Sequence, residues 1–449
     1  MRAETSPADQ PLDYLAWQPP SYNVTRFPPR RLSQSALEPD QDFPNNFSRT
    51  GKWCADGSSL MVQCENRSFQ VFETCTNGHL LSLTHTKTLA QSAPIVDFTW
   101  YPGASRHNLA SYCFVATVRE SPVKLLDGRD GRLRASYPIV DHRERHIAPH
   151  SVAFNLTADR LYCGFEDAIE IFDVQRPGEG DRLQTTPSKK SKDGLKGIIS
   201  TIAFSLSPDY YAAGSLTPAS PASDNIGLFY ESALEPVLSI GGVSGFEKGG
   251  VAQVMFSPTQ PHMLYASFRR SEKVWGWDLR GDASIPLCCL SSDSKSDEPT
   301  EKNLTNQKTR FDIDIGGRWL ATGNQIGKIA IYDLGFGGTV DGDDQDVEGF
   351  GGEIRDIRPV LLYEAHDDTI GTVAFHPSQA VLLSVSGSRH FEDERGALNA
   401  SEDSDSDSSD SSDSDAEDGP IGRSLAVVRK LRNRPQPSVR DASINMWDF

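Results

Sequence analysis

The sequence predicts an all-β fold of the β-propeller class: a closed ring of seven blades, each made of short strands. Three observations predict it. A unit of apolar strand, turn and second apolar strand recurs seven times. It closes on an apolar-apolar-acid step, most clearly at Ile171-Phe172-Asp173, Trp275-Gly276-Trp277-Asp278, Ile331-Tyr332-Asp333 and Met446-Trp447-Asp448. Within the units apolar residues alternate with a period of two, the pattern of a strand and not of a helix. The units recur at roughly 40 to 55 residues, a period that marks stacked blades. One such unit cannot bury both of its faces, so the units must pack on one another around a ring.

Each unit can be read in turn. The first runs through Lys52-Trp53-Cys54-Ala55-Asp56-Gly57, Leu60 to Cys64 and Phe69 to Phe72. The second has Ile95 to Phe98, Phe114 to Thr117 and Val123 to Asp127; the third has Ser151 to Phe154, Leu161 to Gly164 and Ile169 to Asp173. The fourth has Ile199 to Phe204, Tyr211 to Gly214 and Ile226 to Phe229; the fifth has Val251 to Phe256, Leu264 to Ser267 and Val274 to Asp278. The sixth has Arg310 to Ile315, Trp319 to Gly323 and Lys328 to Asp333; the seventh has Ile370 to Phe375, Val381 to Val385 and Ile444 to Asp448. Ser207-Pro208, Ser257-Pro258 and His376-Pro377 stand between first and second strands. Proline fixes φ and lacks a ladder donor, so it belongs at such turns.

The phrases Phe256-Ser257-Pro258 and Phe375-His376-Pro377 match the WD-repeat blade pattern. The expected fold is therefore a seven-bladed WD-repeat propeller over residues 46–449. In that pattern Asp448 ends a third strand, so the outer strand of the last blade has to come from elsewhere. The N-terminal segment 1–45 is the natural donor, around Tyr14 to Phe27. The competing reading leaves residues 1–30 without fixed structure.

Composition narrows the class. The 449 residues carry a net charge of −18, but residues 392–418 hold twelve carboxylates and one arginine, a net of −11, which leaves −7 for the rest. The body is only mildly acidic, so repulsion does not exclude a nucleic-acid partner. No N-terminal apolar run resembles a signal peptide, and no stretch of 18 apolar residues predicts a membrane span. Seven cysteines without C-x-x-C spacing fit a reducing compartment, where free Cys packs as a small hydrophobe.

Polar tracts interrupt the repeats. Residues 291–303 and 341–353 read as links between units five and six and between units six and seven, and 178–196 as an exposed loop bearing Lys189, Lys190, Lys192 and Lys196. Residues 392–440 read as a low-complexity insert in the last blade, acidic and then basic. Its Ser-Asp tract cannot bury apolar area and is expected to be disordered. Ser404, Ser406, Ser408 and Ser409 lie beside acids and are candidate regulatory phosphorylation sites, with a plain spacer as the competing reading. Arg423, Arg429, Lys430, Arg432, Arg434 and Arg440 follow and suggest nuclear import, RNA contact or screening of the acids.

Catalysis has no support here. The sequence has no metal-ligand spacing, Gly-rich phosphate loop or nucleophile elbow, so no catalytic residue, metal or cofactor is expected. Ser244 lies between glycines in an inter-blade link, without a strand-to-helix turn. His107, His142, His146, His150 and His366 are scattered, and Asp312 and Asp314 alternate along a strand in a way that suits turn donors.

Several phrases are more specific than the blade pattern. These are Asp42 to Phe47 with Lys52 to Gly57, Leu133 to Tyr137 with His150 to Phe154, Leu161 to Phe165, Gly197 to Ser205, and Asn306-Gln307-Lys308. Together they resemble the telomerase Cajal body protein family, in a fungal-type form, over about residues 42–391 and the final strand. The resemblance implies a noncatalytic nuclear RNA-binding scaffold. Animal members bind small Cajal-body RNAs and telomerase RNA and bring these ribonucleoproteins to Cajal bodies. Fungal relatives are linked to small nuclear RNAs and pre-mRNA splicing. This chain lacks the long Pro-rich N-terminal extension of animal members, which bears on a direct role in Cajal-body targeting or telomerase.

The expected partners are small nuclear or Cajal-body-type RNA and ribonucleoprotein proteins, with no membrane and no small-molecule substrate. The expected location is the nucleus, with the cytoplasm as a second compartment. In a WD-repeat blade the turn from second to third strand shares a face with the inter-blade link. Arg67, Arg119, Arg269, Arg270 and Arg389 occupy such turns in units one, two, five and seven, with Phe268, His390 and Phe391 beside them. Guanidinium groups bind phosphate through paired hydrogen bonds and stack on bases, and aromatic rings add stacking. These residues are the candidate RNA site. The competing reading pairs each arginine with a nearby acid, such as Arg119 with Glu120 or Arg270 with Glu272. The alternative function is a protein–protein adaptor that uses the same face for a peptide partner without RNA.

Overall fold

Seven sheets follow one another along the chain in the computed structural model. It describes residues 18–25, 27–77, 80–188, 190–191, 193–206, 210–218, 220, 224–232, 236–292, 305–335, 354–391 and 437–449. Blade 1 is Ser48–Trp53, Ser59–Cys64, Ser68–Asn77 and Leu80–Ala90; blade 2 is Ile95–Trp100, Cys113–Val118, Val123–Asp127 and Leu133–Tyr137. Blade 3 is Ser151–Phe154, Arg160–Phe165, Ala168–Asp173 and Asp181–Gln184; blade 4 is Ile199–Phe204, Tyr210–Ser215, Ile226–Tyr230 and Leu238–Ile240. Blade 5 is Val251–Phe256, Met263–Phe268, Val274–Asp278 and Cys288–Leu290. Blade 6 is Asp312–Ile313, Trp319–Gly323, Lys328–Asp333 and Leu361–Glu364. Blade 7 is Ile370–Phe375, Val381–Ser386 and Ile444–Asp448, completed by Arg30–Ser35.

Two details depart from the sequence reading. The strand that pairs antiparallel with Ile444–Asp448 is Arg30–Ser35, not the stretch around Tyr14 to Phe27. Tyr22 and Val24 are instead buried between blades 6 and 7, against Trp319, Phe375 and Trp447. Their apolarity serves inter-blade packing, while the true strand is mostly polar, with Leu32 against the blade 7 and blade 1 core. Tract 341–353 precedes the outer strand of blade 6, so it falls inside that blade and not between units six and seven; Arg355–Ile357 also adds a parallel fifth strand to blade 5. The insert at 392–436, with Ser404, Ser406, Ser408 and Ser409, lies outside the described residues.

The core is distributed between blades. Seven apolar clusters among the described residues fill the seven blade-to-blade interfaces, for example Leu60, Val62 and Phe72 against Leu383, Ile444 and Met446 between blades 1 and 7. Large rings carry much of this burial, including Trp277, Tyr162, Tyr211, Phe98 and Phe114. Removing such a buried ring costs about 3–5 kcal/mol. All seven cysteines are free, and six of them are buried.

Polar side chains also tie the innermost strands together around the ring. Trp100 Nε1 donates to Lys52 O (3.0 Å), Val152 N to Asp97 Oδ2 (3.3 Å) and Ser151 Oγ to Ile199 O (2.9 Å). Ser200 Oγ donates to Val251 O (2.6 Å), Phe311 N to Gln253 Oε1 (3.1 Å) and Phe375 N to Asp312 Oδ2 (2.8 Å). Trp53 Nε1 reaches Ala374 O (3.4 Å) and links blade 7 to blade 1. At that junction Gly57 has φ +73, and a Cβ there would lie 2.3 Å from the His376 ring. Both demands select glycine.

Candidate nucleic-acid interface

Backbone hydrogen bonds place the second-to-third-strand turns beside the inter-blade links, on one face of the ring. Gln91 N donates to Arg67 O (2.8 Å), Arg119 N to Pro94 O (3.0 Å), Arg269 N to Gly250 O (2.9 Å) and Gly387 N to Thr369 O (2.9 Å). Arg67, Arg119, Arg269, Arg270 and Arg389 therefore share this face. Arg67 and Arg270 hold φ values of 65° and 62°, the left-handed region that glycine fills at least cost.

Their partners differ. Arg67 and Arg119 are exposed, with no carboxylate bound to them among the described residues. Arg269 Nη2 donates to Asn306 O at 2.6 Å and Arg270 Nε to Asn306 Oδ1 at 2.8 Å, so both brace the link into blade 6. Arg389 and Arg49 share the carboxylate of Glu65 across the junction of blades 7 and 1. Arg389 is still half-exposed.

Phe268 is corrected. It is 1% exposed and belongs to the core between blades 4 and 5. As the last residue of the second strand of blade 5 it packs into that core, and its ring is not presented to a ligand. Phe391 is 59% exposed and remains on the surface. Next to Phe391 in the chain, His390 Nε2 lies 2.8 Å from Asp368 Oδ1. Asp368 also accepts from Ser388 Oγ (2.8 Å) and Arg440 N (3.1 Å), and His390 and Ser438 exchange backbone hydrogen bonds. This pinned neck sits on the arginine-bearing face, where the chain departs for residues 392–436 and returns.

The sequence reading missed a second basic group, deeper in the ring. Lys52 Nζ lies 3.4 Å and Arg310 Nη2 3.1 Å from the same oxygen of Asp97. Lys308 Nζ spans the mouth, donating to Ser200 O (2.9 Å) and His150 O (3.4 Å) on blades 4 and 3. Burial, chiefly, lowers the Lys52 and Lys308 ammonium groups to about 8; Arg310 adds to this and Asp97 opposes it. Burial alone would raise the Asp97 carboxyl, yet Lys52, Arg310 and Lys308 hold it below its usual value. Lys52, Asp97 and Arg310 line a central channel of about 460 Å³. The available signal was a charged residue within the inner-strand phrases of units one, two and six, as in Ile95-Val96-Asp97-Phe98, where the other units have none.

Fold and site define a seven-bladed propeller with a cationic face and throat. No protein-family model matches the chain. It is 28% identical to telomerase Cajal body protein 1 of Mesocricetus auratus over 391 residues, 85% of this chain and 65% of that protein. With telomerase Cajal body protein 1 of Homo sapiens it shares 27% over 394 residues, 86% of this chain and 64% of that one. The guanine nucleotide-binding protein negative regulator 1 of Schizosaccharomyces pombe is 26% identical over 306 residues, 65% of this chain and 72% of the relative. The chain is thus similar to the telomerase Cajal body proteins over most of its length. It spans a little under two thirds of the length of the animal relatives.

Proposed function

We infer that this chain is a noncatalytic nuclear scaffold that binds small nuclear or Cajal-body-type RNA and aids maturation or localisation of ribonucleoproteins. One observation carries the reading: Arg67, Arg119, Arg269, Arg270 and Arg389 lie on one face of the ring, with Phe391 beside the last of them. Exposed guanidinium groups and a free ring are the chemistry that holds single-stranded RNA. The family supports the cargo, since its animal members bear names that join telomerase and the Cajal body. The fission-yeast relative bears a different name, and a fungal-type role with small nuclear RNAs in splicing is the form proposed for this chain.

Crosslinking to bound RNA in cells, followed by sequencing, tests the reading. Enrichment of a small nuclear or Cajal-body-type RNA is the expected result. An RNA profile no different from background, with a peptide partner retained on the same face, would establish the adaptor function instead.

A further inference from the structure

The throat of the ring has a charge imbalance that no described residue resolves. Lys52, Lys308 and Arg310 bring three positive charges together, with Arg269 and the His150 ring close to Lys308, and among the described residues Asp97 is the carboxylate that faces all three. Lys52, Lys308, Arg310 and Asp97 sum to +2 in a half-buried place, where an unpaired charge is costly. The depressed Lys52 and Lys308 ammonium groups register this cost. A donor is also in excess. Among the described residues Arg310 Nε, on a residue that lines the channel, is buried without an acceptor. Buried donors are rarely left unpaired, and each such group costs about 1–3 kcal/mol.

We propose that this throat is a binding site for a phosphate monoester dianion. A tetrahedral dianion cancels the +2 charge and offers an acceptor to the unpaired donor. Arg310 would grip it through its free Nε edge, since its Nη2 is held 3.1 Å from Asp97. Lys52 is anchored through Asp97 and Phe98 O, and Lys308 through Ser200 O, so the cations are already in place. Asp97 positions two of the cations and offsets one of their three positive charges. The channel of about 460 Å³ has room for a phosphate group and part of what bears it. This inference stands apart from the RNA reading, because the groups that would grip the phosphate are Lys52, Lys308 and Arg310, none of which is among the arginines of the RNA site.

Calorimetry of the full chain with inorganic phosphate, against chloride at equal ionic strength, tests it. Saturable one-to-one binding at pH 7 is expected, weakening above pH 8 as Lys52 and Lys308 lose their protons. Arg310→Met and Lys308→Met should each weaken it roughly tenfold or more, the loss of one charge-assisted contact, while Arg67→Glu leaves it unchanged. Lys308→Gln provides a milder second variant, checked for folding by its thermal transition.

The source of the phosphate is read by comparing 5′-phosphorylated with 5′-hydroxyl RNA oligomers, and with a nucleoside monophosphate. A gain from the terminal phosphate identifies an RNA end; competition by the monophosphate alone identifies a free ester. No phosphate binding, or binding indifferent to Arg310 and Lys308, overturns the proposal. Phosphate binding with no RNA capture would keep this site and remove the RNA reading.

Discussion

Asp441 Oδ2 lies 3.0 Å from Nδ1 of His366, a residue 75 positions earlier in the chain. A carboxylate only accepts, so in the neutral ring Nδ1 carries the proton. Nε2 then accepts from the Ser384 hydroxyl at 2.7 Å, and Ser384 Oγ accepts from Trp447 Nε1 at 2.8 Å. The relay joins the inter-blade link, the second strand and the third strand of blade 7. It holds that blade together although residues 392–436 separate its second and third strands in sequence. His366, scattered to a sequence reader, is a structural hinge pin.

Asp441→Ala should lower stability by about 1–3 kcal/mol, the cost of stranding a buried partner. Burial would raise the Asp441 carboxyl, but hydrogen bonds from His366 and Ser443 hold it well below the usual range. Its contribution is therefore present above the unfolded pKa near 4 and is lost as pH falls below it. Thermal unfolding of parent and variant should differ at pH 7 and converge in acid.

Asp312 gives the opposite slope. Burial raises its carboxyl to about 7, against the opposing hydrogen bonds from Phe375 N and Ile313 N. The folded state therefore favours the protonated form. Stability contributed by that proton is present below about pH 4 and is lost as pH rises toward 7. Asp312→Asn keeps an acceptor for Phe375 N and should flatten the profile between pH 4 and 7 in denaturant unfolding.

Arg67→Glu with Arg119→Glu should abolish most RNA capture and leave the thermal transition within a degree or two, because neither side chain has a carboxylate partner among the described residues. Each lost phosphate contact should reduce the salt slope of binding by about 0.7. Unchanged capture and slope would move the RNA site elsewhere.

The two phenylalanines separate packing from recognition. Phe268→Ala should cost about 3–5 kcal/mol as a cavity in the core, with RNA capture reduced only in step with folding. Phe391→Ala should leave unfolding unchanged and weaken RNA capture by about 1–3 kcal/mol if a base stacks there.

Leu32→Asp should loosen the closing strand. Leu32 packs against the core between blades 7 and 1, and Arg30–Ser35 covers the edge of Ile444–Asp448. Uncovered edges pair with other chains. Lower thermal stability and self-association by sedimentation are the expected result.

The sequence by itself determined the ring. Seven alternating units with closers such as Ile331-Tyr332-Asp333 cannot be satisfied by any other packing, because strand periodicity and burial are local properties. It also determined the face that bears Arg67, Arg119, Arg269, Arg270 and Arg389, since blade topology fixes which turns share a side. Only the tertiary structure decided which aromatic was free. Phe268 and Phe391 both flank arginines in sequence, and burial depends on the neighbouring blade. It alone assembled the throat, where Lys52, Asp97 and Arg310 meet across 45 and 213 positions of chain. Electrostatic coupling depends on distance through space, and a closed ring makes its first, second and sixth blades near neighbours at the axis.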